Sequence, residues 1–372
     1  MRLKRKMTEC KTEKINVLQI VGNARLGGIA SCLLNYFRRA DLEKFRFDFV
    51  TYAPSIFDVK VKEVDKDARV YYISPFQKNF LKGIFDMEKI CKNNDYSIVH
   101  SHLTTLSAFS LTAAAHSGVP VRICHVHSAF NKHSEHYLAK SFLRPFACEH
   151  ATHLMACSHH AAENIFGKRA GDAYILPDAI EAENFYSDEK AYDEARKKLG
   201  LSGKVVLFVG RFVYQKNIPF LLRAFAKAAQ GRDMTLVLVG DGEERHTILS
   251  VTAELGINEK VRLVQPTDPV EYYKAADLFC MPSRYEGLGM AAIEAQAAGL
   301  KCLLSEAVPT ETDITGKSVF LPYDEDAWAQ AIISEGGHFY DCRELVRAAR
   351  YDVANEAHSL TDFYEKALDG KI

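Results

Sequence analysis

Four charged residues in the second half of the chain lie in segments that follow short apolar runs and contain glycines. Arg211 and Lys216 come after the run that ends at Gly210, and Glu286 and Glu294 lie eight residues apart in PSRYEGLGMAAIE. Two cations past a strand end, next to a helix N-terminus, suit a diphosphate, although taken alone they are equally compatible with ordinary surface residues. The carboxylate spacing suits two groups that bind hydroxyls on either side of a diphosphate.

Glycine-containing loops are the second candidate feature of this half. The loop after the apolar run Leu278–Met281 leads into a helical stretch, so its free backbone N–H groups can face an anion. The residues that would supply them are Gly287, Leu288, Gly289 and Met290. Gly240, in VGDG, repeats the design after another run, where glycine permits close backbone approach to a ligand. Because turns use the same residues, this motif is weak by itself.

The first half offers a Gly-Gly loop and two histidine pairs. Gly27-Gly28 follows the first apolar run and is expected to approach a phosphate opposite Arg211. The pairs are His100-Ser101-His102 and His125-Val126-His127. Such a pair at a strand end can chelate zinc, as in metal-dependent hydrolases. No carboxylate or cysteine cluster with metal spacing accompanies them in the sequence, so no metal site is predicted.

These candidates lie in a chain whose short β-branched or apolar runs alternate with amphipathic stretches, the pattern of parallel sheets covered by helices. The predicted strands of the first half are 15–21, 45–52, 70–73, 97–100, 121–127 and 153–156, and those of the second are 205–209, 235–239, 261–263, 278–281 and 301–304. The predicted helices are 29–39, 80–93, 106–116, 134–150, 159–165, 218–229, 243–255, 270–276, 290–298, 326–334 and 342–367. Ligands of such sheets bind at the carboxyl ends of the strands.

Composition limits the class of protein. The 372 residues suggest about two domains, and 47 Lys+Arg against 48 Asp+Glu leave no overall field that would attract nucleic acid. Nine cysteines without a CxxC pair indicate reduced thiols and a cytoplasmic protein. No apolar stretch is long enough to span a membrane, and residues 1–14 are basic without a signal-peptide core, which predicts a solvated tail.

GRFVYQKN followed by PSRYEGLGMAAIEAQAAG resembles the retaining GT-B glycosyltransferases of family 4, which carry a Glu-x7-Glu motif, and the resemblance covers nearly the whole chain. It implies an α/β fold of two Rossmann-like, doubly wound domains that face a central cleft. Residues 1–183 would form the acceptor domain and residues 184–351 the nucleotide-sugar domain. The last helix, in residues 352–372, would cross back to the first domain.

The resemblance also implies roles for single residues. Arg211 and Lys216 would hold the nucleotide diphosphate, Glu294 the ribose hydroxyls and Glu286 the hydroxyls of the donor sugar. His127 matches the family's active-site histidine near the donor sugar. The chain departs from the family pattern in two places: Pro-Asp-Ala-Ile-Glu at 177–181, where the family usually has Pro-Asn-Gly-Ile-Asp, and Ala30-Ser31 after the Gly-Gly loop, where a glutamate is common.

The implied activity is retaining transfer of a hexose or N-acetylhexosamine, from a UDP-linked donor to a glycan or polyprenyl-diphosphate-linked acceptor, in capsule or exopolysaccharide biosynthesis. No cofactor is implied, and no Asp-x-Asp motif at a predicted strand end suggests a metal. Cations mixed with large apolar residues at 77–85 and 130–144 suggest peripheral contact with the inner face of the plasma membrane. The alternatives are a sugar-nucleotide 2-epimerase and a catalytically silent nucleotide-sugar-binding partner subunit.

Overall fold

The computed structural model describes residues 14–24, 28–130, 132, 136–337 and 341–372. The predicted solvated tail and Gly27 lie outside the described residues, apart from Lys14. None of the described helices combines the length and the apolar character needed to cross a membrane.

The first half forms one parallel sheet. Its strands in the described residues are β1 (Ile15–Gly22), β2 (Phe45–Thr51), β3 (Val70–Tyr72), β4 (Ile98–Ser101), β5 (Val121–Val126), β6 (His153–Ala156) and β7 (Ala173–Ile175). The spatial order is β3-β2-β1-β4-β5-β6-β7. The order reverses between β1 and β4, so the carboxyl ends of these two strands mark the crevice where a doubly wound sheet binds ligands.

The second half repeats this arrangement. Its strands are β8 (Lys204–Val209), β9 (Met234–Val239), β10 (Val261–Val264), β11 (Leu278–Met281), β12 (Cys302–Ser305) and β13 (Val319–Leu321). They are arranged in the order β10-β9-β8-β11-β12-β13, so the reversal lies between β8 and β11. The predicted α/β fold of two Rossmann-like sheets is therefore confirmed.

Helices cover the sheets. They are α1 (Gly28–Arg39), α2 (Ile56–Val64), α3 (Phe80–Lys92), α4 (Ser107–His116), α5 (Tyr137–Leu143), α6 (His159–Phe166), α7 (Ala182–Phe185), α8 (Glu189–Leu199), α9 (Ile218–Ala228), α10 (Arg245–Glu254), α11 (Val270–Ala275), α12 (Met290–Ala297), α13 (Glu325–Ser334), α14 (Arg343–Ala348) and α15 (Val353–Leu368). Neighbouring strand residues point to opposite faces: Val17 packs in the core on one side of the first sheet, and Leu18 packs in the core on the other.

Several predicted elements differ from the structure. The helix predicted over 134–150 is wrong in extent, because α5 begins at Tyr137 and ends at Leu143. Helix α8 was missed because its apolar stripe is thin: Ala191, Ala195 and Leu199 stand among charged residues, and only Ala195 of the helix is fully buried. The Asp188 side chain caps its first turn. Helix α2 and the three-residue edge strands β7 and β13 were also missed.

The last predicted helix, 342–367, is two helices. Arg350 adopts a positive φ of 66°, which ends α14, and the Asp352 side chain accepts a hydrogen bond from the Ala354 amide at the start of α15. Val346 of α14 lies in the core of the second sheet, whereas Tyr364 of α15 lies in the core of the first. The break therefore lets the chain cross from one half to the other, as the resemblance implies for its last segment.

The chain passes between the two halves twice, once near Ile180 and once near Asp352, and the two passages lie side by side. The Ile180 amide donates to the Tyr351 carbonyl (2.8 Å), and the Val353 amide donates to the Ile180 carbonyl (2.9 Å). Ala182 and Phe185 pack in the core of the second sheet. The domain boundary after residue 183 remains a prediction.

Candidate functional site

The end of β8 and the loop after β11 bring the predicted donor residues together. Lys216 Nζ lies 2.6 Å from Glu286 Oε1, and Gln215 Nε2 donates to Glu286 Oε2 at 3.2 Å. Both charged side chains are almost buried, with 13% and 7% of their surface exposed. Arg211, by contrast, is exposed, and no described group forms a hydrogen bond or ion pair with its guanidinium. The fold thus places a cation that is free to meet an anion beside an ion pair.

The loop before Glu286 is held by residues that the sequence motifs did not single out. The Arg284 amide donates to the Gln215 carbonyl (2.7 Å), and Arg284 Nη2 donates to Asn217 Oδ1 (2.7 Å). The guanidinium carbon of Arg284 lies 4.3 Å from the centre of the Tyr214 ring, a cation–π distance. These contacts join the loops after β8 and β11, which flank the reversal point of the second sheet. A cation directly beside a candidate carboxylate was the signal that could have identified Arg284.

Helix α12 begins at Met290, after Gly289 at its N-cap. No described group accepts a hydrogen bond from the backbone amides of residues 287–290, so these donors are available at the helix N-terminus. Leu288 is buried, and its carbonyl accepts from the Thr312 hydroxyl. Its side chain therefore anchors the loop in the core and does not face a ligand.

Glu294 projects from the second turn of α12 beside Tyr273. The Tyr273 hydroxyl donates to Glu294 Oε2 at 2.7 Å. Burial raises the pKa of Glu294 to about 7, and the Tyr273 hydrogen bond offsets only part of that effect. The other carboxylate oxygen, Oε1, remains for a further partner.

The glycines near the candidate site differ in how closely other parts of the chain approach them. A Cβ on Gly240 would lie 1.9 Å from the Gly210 carbonyl oxygen, so this glycine is required by close packing of two strand-end loops. A Cβ on Gly287 would lie 2.7 Å from Ser128 Cα, which follows β5 of the first sheet. Gly28 is exposed as the first residue of α1, and a Cβ on it would have nothing within 4 Å. Gly287 therefore permits the carboxyl edges of the two sheets to meet.

The four histidines of the two HxH pairs form one buried cluster at the end of β4 and β5. His102 Nδ1 lies 2.8 Å from His127 Nε2, and His100 Nε2 lies 3.1 Å from His125 Nδ1. His125 Nε2 has no hydrogen-bond partner among the described residues. Burial, with a smaller contribution from repulsion by neighbouring histidines, holds the pKa of His100, His102 and His125 well below the usual range. These three rings are neutral at physiological pH.

No carboxylate accompanies the histidines in the local sequence, but the fold brings one to them: Asp178 Oδ1 lies 2.6 Å from His127 Nδ1. Asp178 occupies the position where the chain departs from the family's Pro-Asn-Gly-Ile-Asp. Both ring nitrogens of His127 are therefore bound to interior groups. What His127 offers the cleft is its backbone, since its carbonyl oxygen would lie 3.3 Å from a Cβ on Gly287.

The cluster has ligand atoms of the kind that bind a metal. Those of His100, His102 and His125 lie within 4.8 Å of one another, as do those of His125, His127 and Asp178. The two His–His separations of 2.8 and 3.1 Å are hydrogen-bond distances. Two nitrogens bound to one tetrahedral zinc would lie about 3.3 Å apart. The residues fit a hydrogen-bonded cluster better than a metal centre, and the predicted absence of a metal stays a prediction.

Comparison with known proteins assigns the chain to a family. A family model described as glycosyl transferases group 1 matches residues 191–334, and one described as glycosyltransferase family 4 matches residues 26–183. A putative glycosyltransferase of Bacillus subtilis, EpsF, is 29% identical over 94% of this chain and 96% of its own length. The UDP-Gal:alpha-D-GlcNAc-diphosphoundecaprenol alpha-1,3-galactosyltransferase of Escherichia coli is 29% identical over 65% of this chain and 67% of its own.

Solved structures show the same fold. The crystal structure of Anabaena HepE in complex with UDP and glucose superimposes with a TM-score of 0.75 over 96% of this chain and 98% of that chain, at 16% identity. The fold of the whole chain and the two family models, one in each half, thus indicate the same class of protein. The chain is therefore a glycosyltransferase of the family 4 and group 1 type, with the GT-B fold.

Proposed function

We propose that the protein transfers a hexose or N-acetylhexosamine from a UDP-linked donor to a glycan or polyprenyl-diphosphate-linked acceptor, with retention of anomeric configuration and without a metal. The observation that carries the proposal is the Lys216–Glu286 pair, beside the exposed Arg211 and the free amides at the start of α12. The complex of HepE with UDP and glucose, and the UDP-Gal donor of the E. coli galactosyltransferase, support a UDP-linked donor.

The cations and amides would act on the leaving group. Departure of UDP places negative charge on the diphosphate, and Arg211, Lys216 and the N-terminus of α12 would stabilise that charge from preorganised positions. Glu294, through its free oxygen, would bind the ribose hydroxyls. These groups provide electrostatic stabilisation without a metal ion.

Retention is supported by what the interior groups are already bound to. Glu286 has one oxygen near Lys216 and the other near Gln215, which favours orienting the donor sugar over attacking it. Both ring nitrogens of His127 are bound to His102 and Asp178, so this ring is badly placed to take a proton from the acceptor. We infer front-face attack in which the departing phosphate oxygen takes the acceptor's proton.

A lipid-linked acceptor is supported by large apolar side chains that stand exposed on α3 and on α5 of the first half. Leu81, Phe85, Leu138 and Phe142 are 67–82% exposed. Exposed cations accompany them, among them Lys78, Lys82 and Arg144. Large apolar side chains framed by cations bind an anionic membrane surface, and these side chains would bring the acceptor domain to its lipid-linked substrate in cell-surface polysaccharide synthesis.

Thermal-shift titration with UDP, GDP and ADP first identifies the nucleotide that the donor site binds. UDP release in the presence of a polyprenyl-diphosphate-linked acceptor then measures transfer. Lys216→Ala and Glu286→Ala should each lower kcat by about 10²–10³, the scale for losing one preorganised charge-stabilising group. Lys227→Ala, which breaks an exposed pair with Asp326, should leave kcat unchanged. Unchanged kcat in both site variants would refute the assignment. Conversion of UDP-sugar without UDP release would favour the 2-epimerase, and binding without either reaction the silent subunit.

The membrane surface has its own test. Wild-type protein should float with anionic phospholipid vesicles, and Leu138→Ser with Phe142→Ser should abolish flotation. Leu249→Ser, at an exposed leucine on α10 of the second half, serves as the matched control. Absence of wild-type flotation, together with transfer only to water-soluble sugars, would refute the membrane part of the proposal and leave the donor site untouched.

A further inference from the structure

Tyr273 joins α11 to the helix that carries Glu294. Its hydroxyl lies 2.7 Å from Glu294 Oε2 and 3.1 Å from the Ala291 carbonyl oxygen, and both acceptors belong to α12. The Tyr273 side chain is fully buried. Its ring makes a T-shaped contact with Phe185 of α7, at 5.6 Å between centroids, and lies 5.9 Å from the ring of Phe279 of β11. Because the ring is packed between these elements, its hydroxyl has a fixed position.

The direction of the hydrogen bond follows from the chemistry of the two groups. An ionised carboxylate only accepts hydrogen bonds, so the Tyr273 hydroxyl donates to Oε2 whenever Glu294 is ionised. Burial raises the pKa of the Tyr273 hydroxyl well above its ordinary value, so the proton stays on the tyrosine. Glu294 itself is only partly buried, and no described residue forms a hydrogen bond with its Oε1. Oε2 is therefore bound within the protein, while Oε1 is left for a ligand.

The Ala291 carbonyl gives the same hydroxyl a second acceptor. When Glu294 takes up a proton, the carboxylic acid can donate to the Tyr273 oxygen, and the Tyr273 hydroxyl then donates to the Ala291 carbonyl. A buried donor without an acceptor would be costly, and neither protonation state of Glu294 leaves one at this hydroxyl. Glu294 can therefore change its protonation without a rearrangement of α11 and α12.

Two ionisable groups act on Glu294 directly. Burial is the largest influence on its pKa; the Tyr273 hydrogen bond lowers that pKa, and the charge of Asp268, before α11, raises it. Cys280 of β11 and Cys302 of β12 are fully buried thiols, and burial raises the pKa of each, so both stay neutral. Loss of the Tyr273 hydroxyl is thus expected to raise the pKa of Glu294. The charged groups of the other elements packed against α12 are exposed or paired with one another: Glu183, Glu311, Arg343, Glu344 and Arg347.

We propose that Tyr273 is a positioning residue for nucleotide recognition: its hydroxyl holds Oε2 of Glu294 and so directs Oε1 at the ribose hydroxyls of the donor. The inference rests on the proposed function, from which it takes the contact between Glu294 and the ribose. It goes beyond that contact, because selection of a ribonucleoside diphosphate sugar over its 2′-deoxy analogue then depends on a residue that does not touch the donor.

The experiment compares Tyr273→Phe with Tyr96→Phe in the full chain. Tyr96 is a matched control, because it is also buried and its hydroxyl donates to a buried carboxylate, Asp48 Oδ2, at the same distance of 2.7 Å in the first half. Calorimetric titrations with UDP-glucose and with 2′-deoxy-UDP-glucose, at several pH values on either side of 7, give the affinities and their pH profiles. The diphosphate of these ligands has no group that titrates near neutral pH.

We expect the wild type and Tyr96→Phe to bind UDP-glucose more weakly below about pH 7, and to bind the 2′-deoxy analogue more weakly than UDP-glucose. In Tyr273→Phe the pH profile should move upward by about one pH unit, the shift expected for losing one hydrogen bond to a charged group. The preference for the ribonucleotide should shrink by at least about twofold, as for two coupled groups in a double-mutant cycle. A role in packing alone would not move the pH profile.

An unmoved pH profile in Tyr273→Phe, an undiminished preference for the ribonucleotide, or equal wild-type affinities for the two ligands would overturn this inference while the proposed transfer activity stands. Absence of UDP-glucose binding by the wild type would refute the UDP-linked donor and this inference with it. If Tyr273→Phe does not fold, 3-fluorotyrosine at position 273 keeps the ring and makes its hydroxyl a stronger donor. The profile should then move downward, and an unmoved or raised profile would overturn the inference.

Discussion

The two sheet edges that meet at Gly287 differ in the charge of their polar side chains and in the partners that these side chains bind. In the first half, the imidazoles bind one another, Gln19 and Tyr364, and three of them are kept neutral by burial. In the second half, charges predominate: Lys216 is paired with Glu286, and Arg211 stands exposed. At the first edge, hydrogen bonds to other interior groups hold the imidazoles in place. At the second edge, Lys216 and Glu286 can each replace their contact with the other by a contact with a ligand.

The two edges also differ in how stability depends on pH, because the pKa of the buried histidines is lowered and the pKa of Glu294 is raised. The buried histidines have a lowered pKa, so the unfolded chain binds protons that the folded protein does not, and stability is lost as pH falls below about 6.5. Glu294 has a raised pKa of about 7, so its contribution is complete below its ordinary pKa and is lost as pH rises toward 7. Acid therefore weakens the first half while it favours the carboxylic acid form in the second.

The largest predicted effect is acid unfolding that begins in the first half. With His100, His102 and His125 all neutral in the folded state, the free energy of unfolding should fall by up to about 4 kcal/mol per pH unit below pH 6.5. Urea unfolding at several pH values measures the slope. Hydrogen exchange should show loss of protection in β4 and β5 before β11 and β12.

The control for this effect is His125→Asn, which removes one titrating ring, the one with an unpaired nitrogen. Its slope should be smaller by about one proton, or about 1.4 kcal/mol per pH unit. Equal slopes in the two proteins, or earlier exposure of the second sheet, would contradict the contrast drawn between the two edges.

Gly287→Ala should break the contact between the edges. The added methyl would meet Ser128 Cα at 2.7 Å, backbone that cannot simply rotate away, so we expect kcat to fall by about 10² with little change in the stability of either half. Gly171→Ala is the control, because a Cβ there has nothing within 4 Å. Wild-type turnover in Gly287→Ala would show that the edges need not touch during the reaction.

The smallest effect concerns the ribose contact of Glu294. Only the ionised carboxylate accepts hydrogen bonds at both oxygens, so affinity for UDP-glucose should weaken by up to about tenfold per pH unit below about 7. Glu294→Gln should bind more weakly at pH 8 and lose this dependence. Glu254→Gln, at an exposed position of α10, should keep the wild-type profile in calorimetric titrations. A wild-type affinity independent of pH would place the ribose elsewhere.

Much of the fold could be predicted from the sequence because its buried parallel strands are short apolar runs. The predicted strands 153–156 and 278–281 have the bounds of β6 and β11. Edge strands β7 and β13 escaped prediction because three half-buried residues carry little pattern. Helix α8 escaped because its narrow apolar stripe lies in a strongly charged segment that resembles a polar linker.

The candidate site also contains residues that a local sequence pattern reveals and residues that it does not. That Arg211, Lys216 and Glu286 lie at one sheet edge could be predicted because they belong to glycine-containing loops at strand ends, and parallel strands bring such ends to one edge. Asp178 and Tyr364 could not, because 51 residues separate Asp178 from His127 and 264 separate Tyr364 from His100. No local pattern encodes a partner at that distance.

By itself, the sequence determined the two sheets, the loops that carry the donor residues and the family, since each follows from apolar periodicity or from a local motif. Only the tertiary structure decided what the histidines do. Crossing of α15 back to the first sheet, made possible by the break at Arg350, sets a tyrosine hydroxyl against Gln19 and His100. Burial then makes each hydrogen bond obligatory, and that is why a cluster whose sequence suggested a possible metal site is arranged as a chain of hydrogen bonds.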